Sequence, residues 1–178
     1  MTVLVTYATR YGSTRGIAEH IAKTLEAEGL EADLQPVAAV RDVSRYDAFV
    51  VGSAAFLGSW MKEARDFVRI NRDTLDARPV WIFSSGPIGT QTKDAKGRDM
   101  LVASEPKEFA EFARSIRPKE QRVFYGSLDP AKLRGMHRLF ALVPAADRVL
   151  IEGDFRDWKL IETWARGIAH QLAALATA

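Results

Sequence analysis

The chain of 178 residues contains no cysteine. This absence excludes disulfide bonds, cysteine-ligated iron–sulfur clusters and thiol redox chemistry, so any redox activity requires a bound cofactor. The chain also lacks a run of about 18 apolar residues, the length at which a membrane-spanning helix is expected. Hydrophobic residues nevertheless make up 47% of the sequence, which is enough for a buried core. The length fits one domain, which we expect to span residues 1–178.

Net charge is small as well, +2 with histidine neutral, and gives no support for nucleic-acid binding. The positive charge is concentrated between Arg117 and Arg148, where seven basic and three acidic residues lie. The first residues, Met1–Leu4, show neither the basic start nor the apolar core of a secretion signal. We expect a cytoplasmic protein. A peripheral membrane contact and the oligomeric state are left open.

Several catalytic motifs are missing. The three histidines are not spaced as metal ligands, so we predict no metal site. No serine lies in a nucleophile elbow, which leaves hydrolase chemistry without support. Neither the Gly-Lys-Thr of a Walker A loop nor the G-x-G-x-x-G pattern of dinucleotide folds is present.

Short apolar runs alternate along the chain with segments in which apolar residues recur three and four positions apart. The runs predict strands and the spaced segments predict helices. This order predicts an α/β fold, in which a parallel sheet carries helices on both faces. The predicted strands are Thr2–Ala8, Glu31–Pro36, Asp47–Gly52, Pro79–Ser84 and Arg122–Ser127, and the predicted helices are Ser13–Gly29, Ser59–Leu75, Lys107–Ile116 and Phe155–Leu175.

A hydroxyl-rich turn, TRYGST at 9–14, separates the first strand from the first helix. Ligands of open parallel sheets bind beyond the carboxyl ends of the strands, and a helix N-terminus there favours an anion. Thr9, Ser13 and Thr14 add hydroxyl donors, and Gly12 lets the backbone approach a ligand closely. We interpret the turn as a phosphate pocket for a mononucleotide. The alternative is that Ser13 merely caps the helix.

Two further loops at the same predicted edge contain apolar residues where exposed loops are normally polar. They are GSAAFLGSW at 52–60 and SSGPIG at 84–89. Apolar groups beside a phosphate pocket suggest a flat, partly apolar ligand. Phe56 is the first candidate to stack on such a ligand, and Trp60 is the second. For both residues the alternative is burial in the core.

These motifs resemble those of the flavodoxins, and the resemblance covers nearly the whole chain. Thr9, Gly12 and Thr14 match the Ser/Thr-x-x-Gly-x-Thr pattern of the flavodoxin phosphate loop. Within the superfamily, the chain is most similar to the flavodoxin-domain group that includes menaquinone-dependent protoporphyrinogen dehydrogenase. That group has Thr-Arg-x-Gly in the phosphate loop, and Asp-Trp at the start of its last helix, as in Asp157-Trp158.

The resemblance implies a flavodoxin-like, doubly wound sheet of five parallel strands in the order 2-1-3-4-5, with FMN bound at its edge. The flavin would carry the chemistry, so no side chain is assigned a catalytic role. One departure is that residues 85–90, in the third loop, contain no aromatic residue. The residues that the resemblance assigns to the cofactor are Thr9, Arg10, Tyr11, Gly12, Ser13, Thr14, Ala54, Ala55, Phe56, Leu57, Gly58, Ser84, Ser85, Gly86, Pro87, Ile88 and Gly89.

An additional segment, Leu128–Gly153, precedes the last helix. Asp129 and Pro130 suit the start of a helix, of which one face would be apolar. We interpret the segment as a basic, apolar lid beside the flavin, and the alternative is a helix that only packs on the end of the sheet. The predicted apolar face is Leu133, Met136, Phe140 and Val143, and the predicted substrate-side residues are Lys132, Arg134 and Arg138.

Two functional classes fit these observations. The first is an FMN-dependent oxidoreductase that acts on a small molecule, with protoporphyrinogen as substrate and a quinone as acceptor. The second is an electron-transfer protein that shuttles electrons between redox protein partners. The basic segment favours the first class, because a shuttle to basic partners should be acidic around its flavin. A cofactor-free flavodoxin-like protein is a third alternative.

Overall fold

The computed structural model describes residues 1–132 and 152–177, and elements are numbered in chain order within these ranges. The strands are β1 (Thr2–Ala8), β2 (Glu31–Pro36), β3 (Ala48–Phe56), β4 (Ser59–Trp60), β5 (Val80–Ser85), β6 (Glu120–Phe124), β7 (Ser127–Leu128) and β8 (Gly153–Asp154). The helices are α1 (Ser13–Ala27), α2 (Lys62–Ile70), α3 (Arg72–Asp76), α4 (Met100–Ala103), α5 (Glu108–Ser115) and α6 (Trp158–Ala176), and Pro130–Lys132 form a 3₁₀ helix.

The main sheet confirms the predicted topology. Its parallel strands follow the order β2-β1-β3-β5-β6, and the short β4 is paired antiparallel to β3. With β4 set aside, this is the predicted order 2-1-3-4-5. The two strands β7 and β8 form a separate antiparallel pair. The strand order reverses beside β1, which places the β1 and β3 loops where ligands of doubly wound sheets bind.

The central strands are buried on both faces because their successive side chains enter two different cores. Val3 and Val5 of β1 pack with α1 and α6 on one face of the sheet. Leu4, between them, packs with α2, α3 and α5 on the other face. Helices therefore cover both faces, as the alternating pattern predicts.

Gly52 of β3 marks a close approach within the core. A Cβ atom at this position would lie 2.1 Å from Cζ of Phe83 on β5. The Phe83 ring is fully buried and lies against the rings of Phe124 and Trp164, at centroid distances of 6.2 and 6.1 Å. Any side chain at position 52 would therefore have to displace a ring that is also packed on its other sides.

The prediction of one helix over Ser59–Leu75 is wrong. Its first residues form β4, and the helical part is divided into α2 and α3 at Asn71. The Asn71 side-chain amide donates to the carbonyl of Phe67 at 2.8 Å, a local bond by which asparagine competes with helical backbone bonding. Within the described ranges, α6 is the longest helix at 19 residues, and no helix there combines the length and apolar character needed to cross a bilayer.

Candidate functional site

A cleft of about 640 Å³ opens at the carboxyl edge of the main sheet. The turn after β1, the end of β3, the end of β5 and the residues after β6 all contribute to its walls. Predicted cofactor residues that line it are Arg10, Tyr11, Ser13, Ala54, Ala55, Phe56, Leu57, Ser85, Gly86 and Ile88. The other predicted residues belong to the same three loops: Thr9, Gly12, Thr14, Gly58, Ser84, Pro87 and Gly89.

The turn after β1 leaves the start of α1 without a side-chain cap. Gly12 is the N-cap residue, with a φ of 94° that favours glycine. Its N–H donates to Oγ1 of Thr9 at 3.0 Å, which closes the turn. The alternative in which Ser13 caps the helix is therefore wrong. The partial positive charge of the helix N-terminus faces the turn without a capping oxygen, which suits an anion.

Ser13 instead joins the first loop to the third and to the residues after β6. Its Oγ lies 2.9 Å from Oγ of Ser85 and accepts the N–H of Ser127 at 2.9 Å. The hydrogen bond between the two hydroxyls uses the hydrogen of only one of them. Within residues 1–132 and 152–177, the other hydroxyl hydrogen has no acceptor, and both serines line the cleft. The pair can therefore donate one hydrogen bond to a ligand.

Thr14 places a second hydroxyl at the start of α1, next to the residues that line the cleft. The residue lies in the first turn of α1 and is fully buried. Its Oγ1 has no hydrogen-bond partner among the described residues. A buried polar group without a partner costs about 1–3 kcal/mol, and an anionic oxygen bound at the start of α1 would remove that cost. By this observation, the residues of the turn fit the phosphate of a nucleotide cofactor.

The second loop is a β-hairpin rather than an irregular segment. Phe56 pairs with Ser59 across a two-residue turn, in which Leu57 and Gly58 have φ values of 50° and 71°. Positive φ at both central residues defines a type I′ turn, where leucine is unusual. Phe56 is 55% exposed and Leu57 is 90% exposed. The hairpin tip therefore places two apolar side chains at the edge of the cleft.

The two aromatic candidates for stacking have different environments. The core alternative is wrong for Phe56, which lines the cleft and is more than half exposed. The core alternative is confirmed for Trp60, which is 2% exposed. Its ring meets those of Phe109 and Phe112 edge-on, at centroid distances of 6.0 and 5.3 Å.

Glu108, in the first turn of α5, is a buried carboxylate behind the hairpin. It is 2% exposed and accepts the hydroxyl of Ser59 at 2.6 Å and the N–H of Trp60 at 3.0 Å. The guanidinium of Arg65 lies 3.5 Å from it. Burial alone would raise the pKa of Glu108, but these hydrogen bonds, with the charge of Arg65, lower it below the usual 4.5. The carboxylate is therefore charged at neutral pH.

The wall of the cleft that follows β6 was not predicted from the sequence. Gly126, Ser127 and Leu128 line the cleft, and a Cβ at Gly126 would lie 3.2 Å from the Oγ atoms of both paired serines. The signal was present, because these residues follow the fifth parallel strand at the same edge of the sheet. Arg156 was also missed. Its Nη1 lies 3.4 Å from the carbonyl of Ser13, and its guanidinium is paired with the carboxylate of Asp154 at 2.6 Å.

The structure describes only the ends of the segment Leu128–Gly153. They are brought together by the pairing of β7 with β8. Asp129 accepts the N–H of Ala131 at 3.0 Å at the start of the 3₁₀ helix, as its predicted capping role requires. Lys132 lies 3.4 Å from the carboxylate of Asp129. Outside the described residues lie Arg134, Arg138 and the whole predicted apolar face, Leu133, Met136, Phe140 and Val143.

Comparison with known proteins gives the same fold and a family. Protoporphyrinogen IX dehydrogenase (quinone) from Escherichia coli K12 is 24% identical over 183 residues, which cover 96% of each chain. A flavodoxin from the domain Archaea superposes with a TM-score of 0.59 at 16% identity, covering 97% of this chain and 99% of that one. For the rubredoxin oxygen:oxidoreductase of Desulfovibrio gigas the TM-score is 0.63 at 16% identity, over 99% of this chain but 37% of that one.

A sequence model of the flavodoxin domain matches residues 4–142, from β1 into the additional segment. This range includes all three loops of the cleft. The family implies a flavin cofactor and oxidoreductase chemistry, which agrees with the uncapped helix and the apolar hairpin at one edge of the sheet. The chain belongs to the flavodoxin domain family.

Proposed function

We propose that this chain is an FMN-dependent oxidoreductase that oxidises a small organic substrate of the porphyrinogen class and reduces a quinone. The observation that carries the proposal is the cleft, where an uncapped helix N-terminus, buried hydroxyls and an exposed apolar hairpin lie at one sheet edge. The similarity to the E. coli enzyme over 96% of both chains supports this substrate class.

The residues of the cleft divide into two groups by chemistry. The start of α1, with Thr14 and the Ser13–Ser85 pair, would hold the FMN phosphate through N–H and O–H donors. The apolar surface of Phe56 and Leu57 would contact the flavin ring and exclude water from one side of it. Bound FMN supplies the redox chemistry, taking electrons from a reduced substrate and returning them to an acceptor. The chain itself binds and orients the cofactor and the substrate, and it excludes water from the flavin ring.

We expect the cofactor released by heat to be FMN and not FAD. The described part of the cleft offers one anion pocket, at the start of α1, and a dinucleotide would need a second anchoring site. Mass spectrometry of the released chromophore measures this directly. Recovery of FAD would contradict the prediction. A protein that stays colourless after incubation with FMN would favour the third alternative, a flavodoxin-like protein without a cofactor.

Turnover assays test the substrate class. We expect the oxidised holoprotein to oxidise protoporphyrinogen anaerobically when a naphthoquinone is present, so that electrons and protons lost by the porphyrinogen appear in the quinol. Porphyrin fluorescence and quinol absorbance follow both halves of the reaction. Reduction of the bound flavin by a redox protein, together with no turnover of porphyrinogen, would instead support the electron-transfer alternative.

That alternative is favoured by one specific observation. Phe56 and Leu57 project at the edge of an open cleft, an arrangement that also suits contact with a redox protein. Substitutions in the additional segment can distinguish the two functions, because its basic residues should attract an anionic small-molecule substrate. We also propose that any peripheral contact with an anionic membrane surface is made through this segment.

Replacing Lys132, Arg134 and Arg138 together by glutamine is expected to leave flavin content unchanged and to raise the KM for protoporphyrinogen several-fold. A solvent-exposed charge generally contributes only about 0–1 kcal/mol, and an electrostatic effect should shrink in high salt. Steady-state kinetics at two salt concentrations measure this. An unchanged KM would show that the substrate is recognised elsewhere. If these substitutions slow only electron transfer to a protein partner, the result would support the electron-transfer alternative.

A further inference from the structure

The β3–β4 hairpin is anchored from the start of α5. The N–H of Lys107 donates to the carbonyl of Gly58 at 3.0 Å. The next residue, Glu108, accepts the hydroxyl of Ser59 and the N–H of Trp60. Gly58, Ser59 and Trp60 are consecutive, so the entire return strand of the hairpin is held by two adjacent residues of a distant element.

The hairpin combines a short return strand with an unusual turn conformation. β4 contains only two residues, and Leu57 is 90% exposed, with a φ of 50° that a side chain rarely adopts. Residues in such conformations persist only when their surroundings determine them. The bonds from Lys107 and Glu108 hold the turn and the return strand from α5, outside the hairpin.

We propose that Glu108 is a positioning residue for the flavin. Through Ser59 and Trp60 it fixes the hairpin tip against the cleft, and it thereby sets flavin affinity and reduction potential without lining the cleft itself. This inference rests on the proposed FMN site, because it assigns Phe56 and Leu57 to the flavin ring. The competing explanation is that Glu108 only stabilises α5, since an acidic residue in the first turn of a helix is favourable.

Two substitutions of Glu108 separate these explanations. In Glu108→Gln the amide oxygen can still accept the N–H of Trp60, and the amide nitrogen can donate to Ser59 after its hydroxyl rotates. Glu108→Ala leaves the buried N–H of Trp60 without an acceptor, so the return strand should shift. A matched control is Glu111→Ala on the same helix, because Glu111 accepts two bonds from Arg69 at 2.9 and 2.8 Å, away from the hairpin.

The measurements are the Kd for FMN, the midpoint potential and the visible circular dichroism of the bound flavin, at a temperature where all variants are folded. We expect Glu108→Ala to weaken FMN binding by about fivefold or more and to change the potential and the dichroic spectrum. Glu111→Ala should match the wild type in all three, and Glu108→Gln should match it in Kd and dichroic spectrum, because the loss of charge beside Arg65 alters the potential by itself. If Glu108→Ala does not fold, Ser59→Ala removes one of the two bonds and should itself weaken FMN binding and change the dichroic spectrum.

The outcomes distinguish the inference from the function on which it rests. A wild-type protein that binds no flavin would overturn the proposed function. If the wild type binds flavin and Glu108→Ala has an unchanged Kd, potential and spectrum, only the positioning role is overturned. Ser59→Ala provides the same test if Glu108→Ala does not fold. A Glu108→Gln variant as impaired as Glu108→Ala would overturn positioning by hydrogen bonds, because the lost property would then be the charge.

Discussion

Replacing Thr14 by valine is expected to weaken FMN binding by about tenfold or more while leaving the apoprotein at least as stable as the wild type. A hydrogen bond to a charged group contributes roughly 1.5–3 kcal/mol, which corresponds to about ten- to a hundredfold in Kd. The Thr14 hydroxyl is buried and has no partner among the described residues. Its removal therefore costs the apoprotein nothing, and valine keeps its shape. Fluorescence titration with FMN and urea unfolding of the apoprotein measure the two effects.

Thr6 provides a matched control for this change. Its Oγ1 is also buried without a partner in the described part of the chain, but the residue lies within β1, between Gln35 and Val51 of the neighbouring strands. Thr6→Val should therefore affect stability as Thr14→Val does and leave FMN affinity unchanged. Riboflavin, which lacks the phosphate, should bind Thr14→Val and the wild type equally. Equal loss of affinity for FMN and riboflavin would show that Thr14 does not contact the phosphate.

Replacing Gly52 by alanine is expected to lower the free energy of unfolding by about 1–3 kcal/mol or more, the usual cost of overpacking a core. The new methyl group would lie 2.1 Å from the Phe83 ring. That ring cannot retreat easily, because Phe124 and Trp164 lie against it. Urea unfolding of both proteins, monitored by tryptophan fluorescence, measures the difference.

Gly167→Ala is the control for Gly52→Ala. Gly167 lies inside α6, where a Cβ would meet no atom within 4 Å, so alanine should stabilise the protein by up to about 1 kcal/mol through helix propensity. Adding Phe83→Leu to Gly52→Ala should recover part of the lost stability, because the smaller side chain leaves room for the methyl group. If the two substitutions are simply additive, the close contact between positions 52 and 83 is not the cause of the loss.

Local sequence patterns were sufficient for the main sheet and for much of the cleft. Buried parallel strands are continuous apolar runs, and Val3–Val5 and Val80–Phe83 are of this kind. The strands end where the sheet ends, so the loops that follow them meet at one edge whatever their detailed conformation. For this reason the turn at 9–14 and the end of β5 could be placed correctly at the cleft.

The hairpin could not be predicted in the same way, because its cause is distant in the sequence. Ser59 and Trp60 continue the spacing of the following helix, and nothing near them indicates a strand. They pair with β3, and Glu108, 49 and 48 residues away, accepts their hydroxyl and N–H groups. A glutamate within a helical pattern is most often an exposed residue, so its burial could be recognised only in the folded chain.

The division of the core into two faces has a consequence for folding during synthesis. Among the residues that the structure describes, the face covered by α2, α3 and α5 draws on none later than Val123, so these elements are complete once that residue has left the ribosome. The opposite face needs Ile161, Ile168 and Leu172 of α6. Until these emerge, α1 is the only helix within residues 1–132 that covers that side of the central strands, and apolar surface from β1 and β5 stays accessible to chaperones.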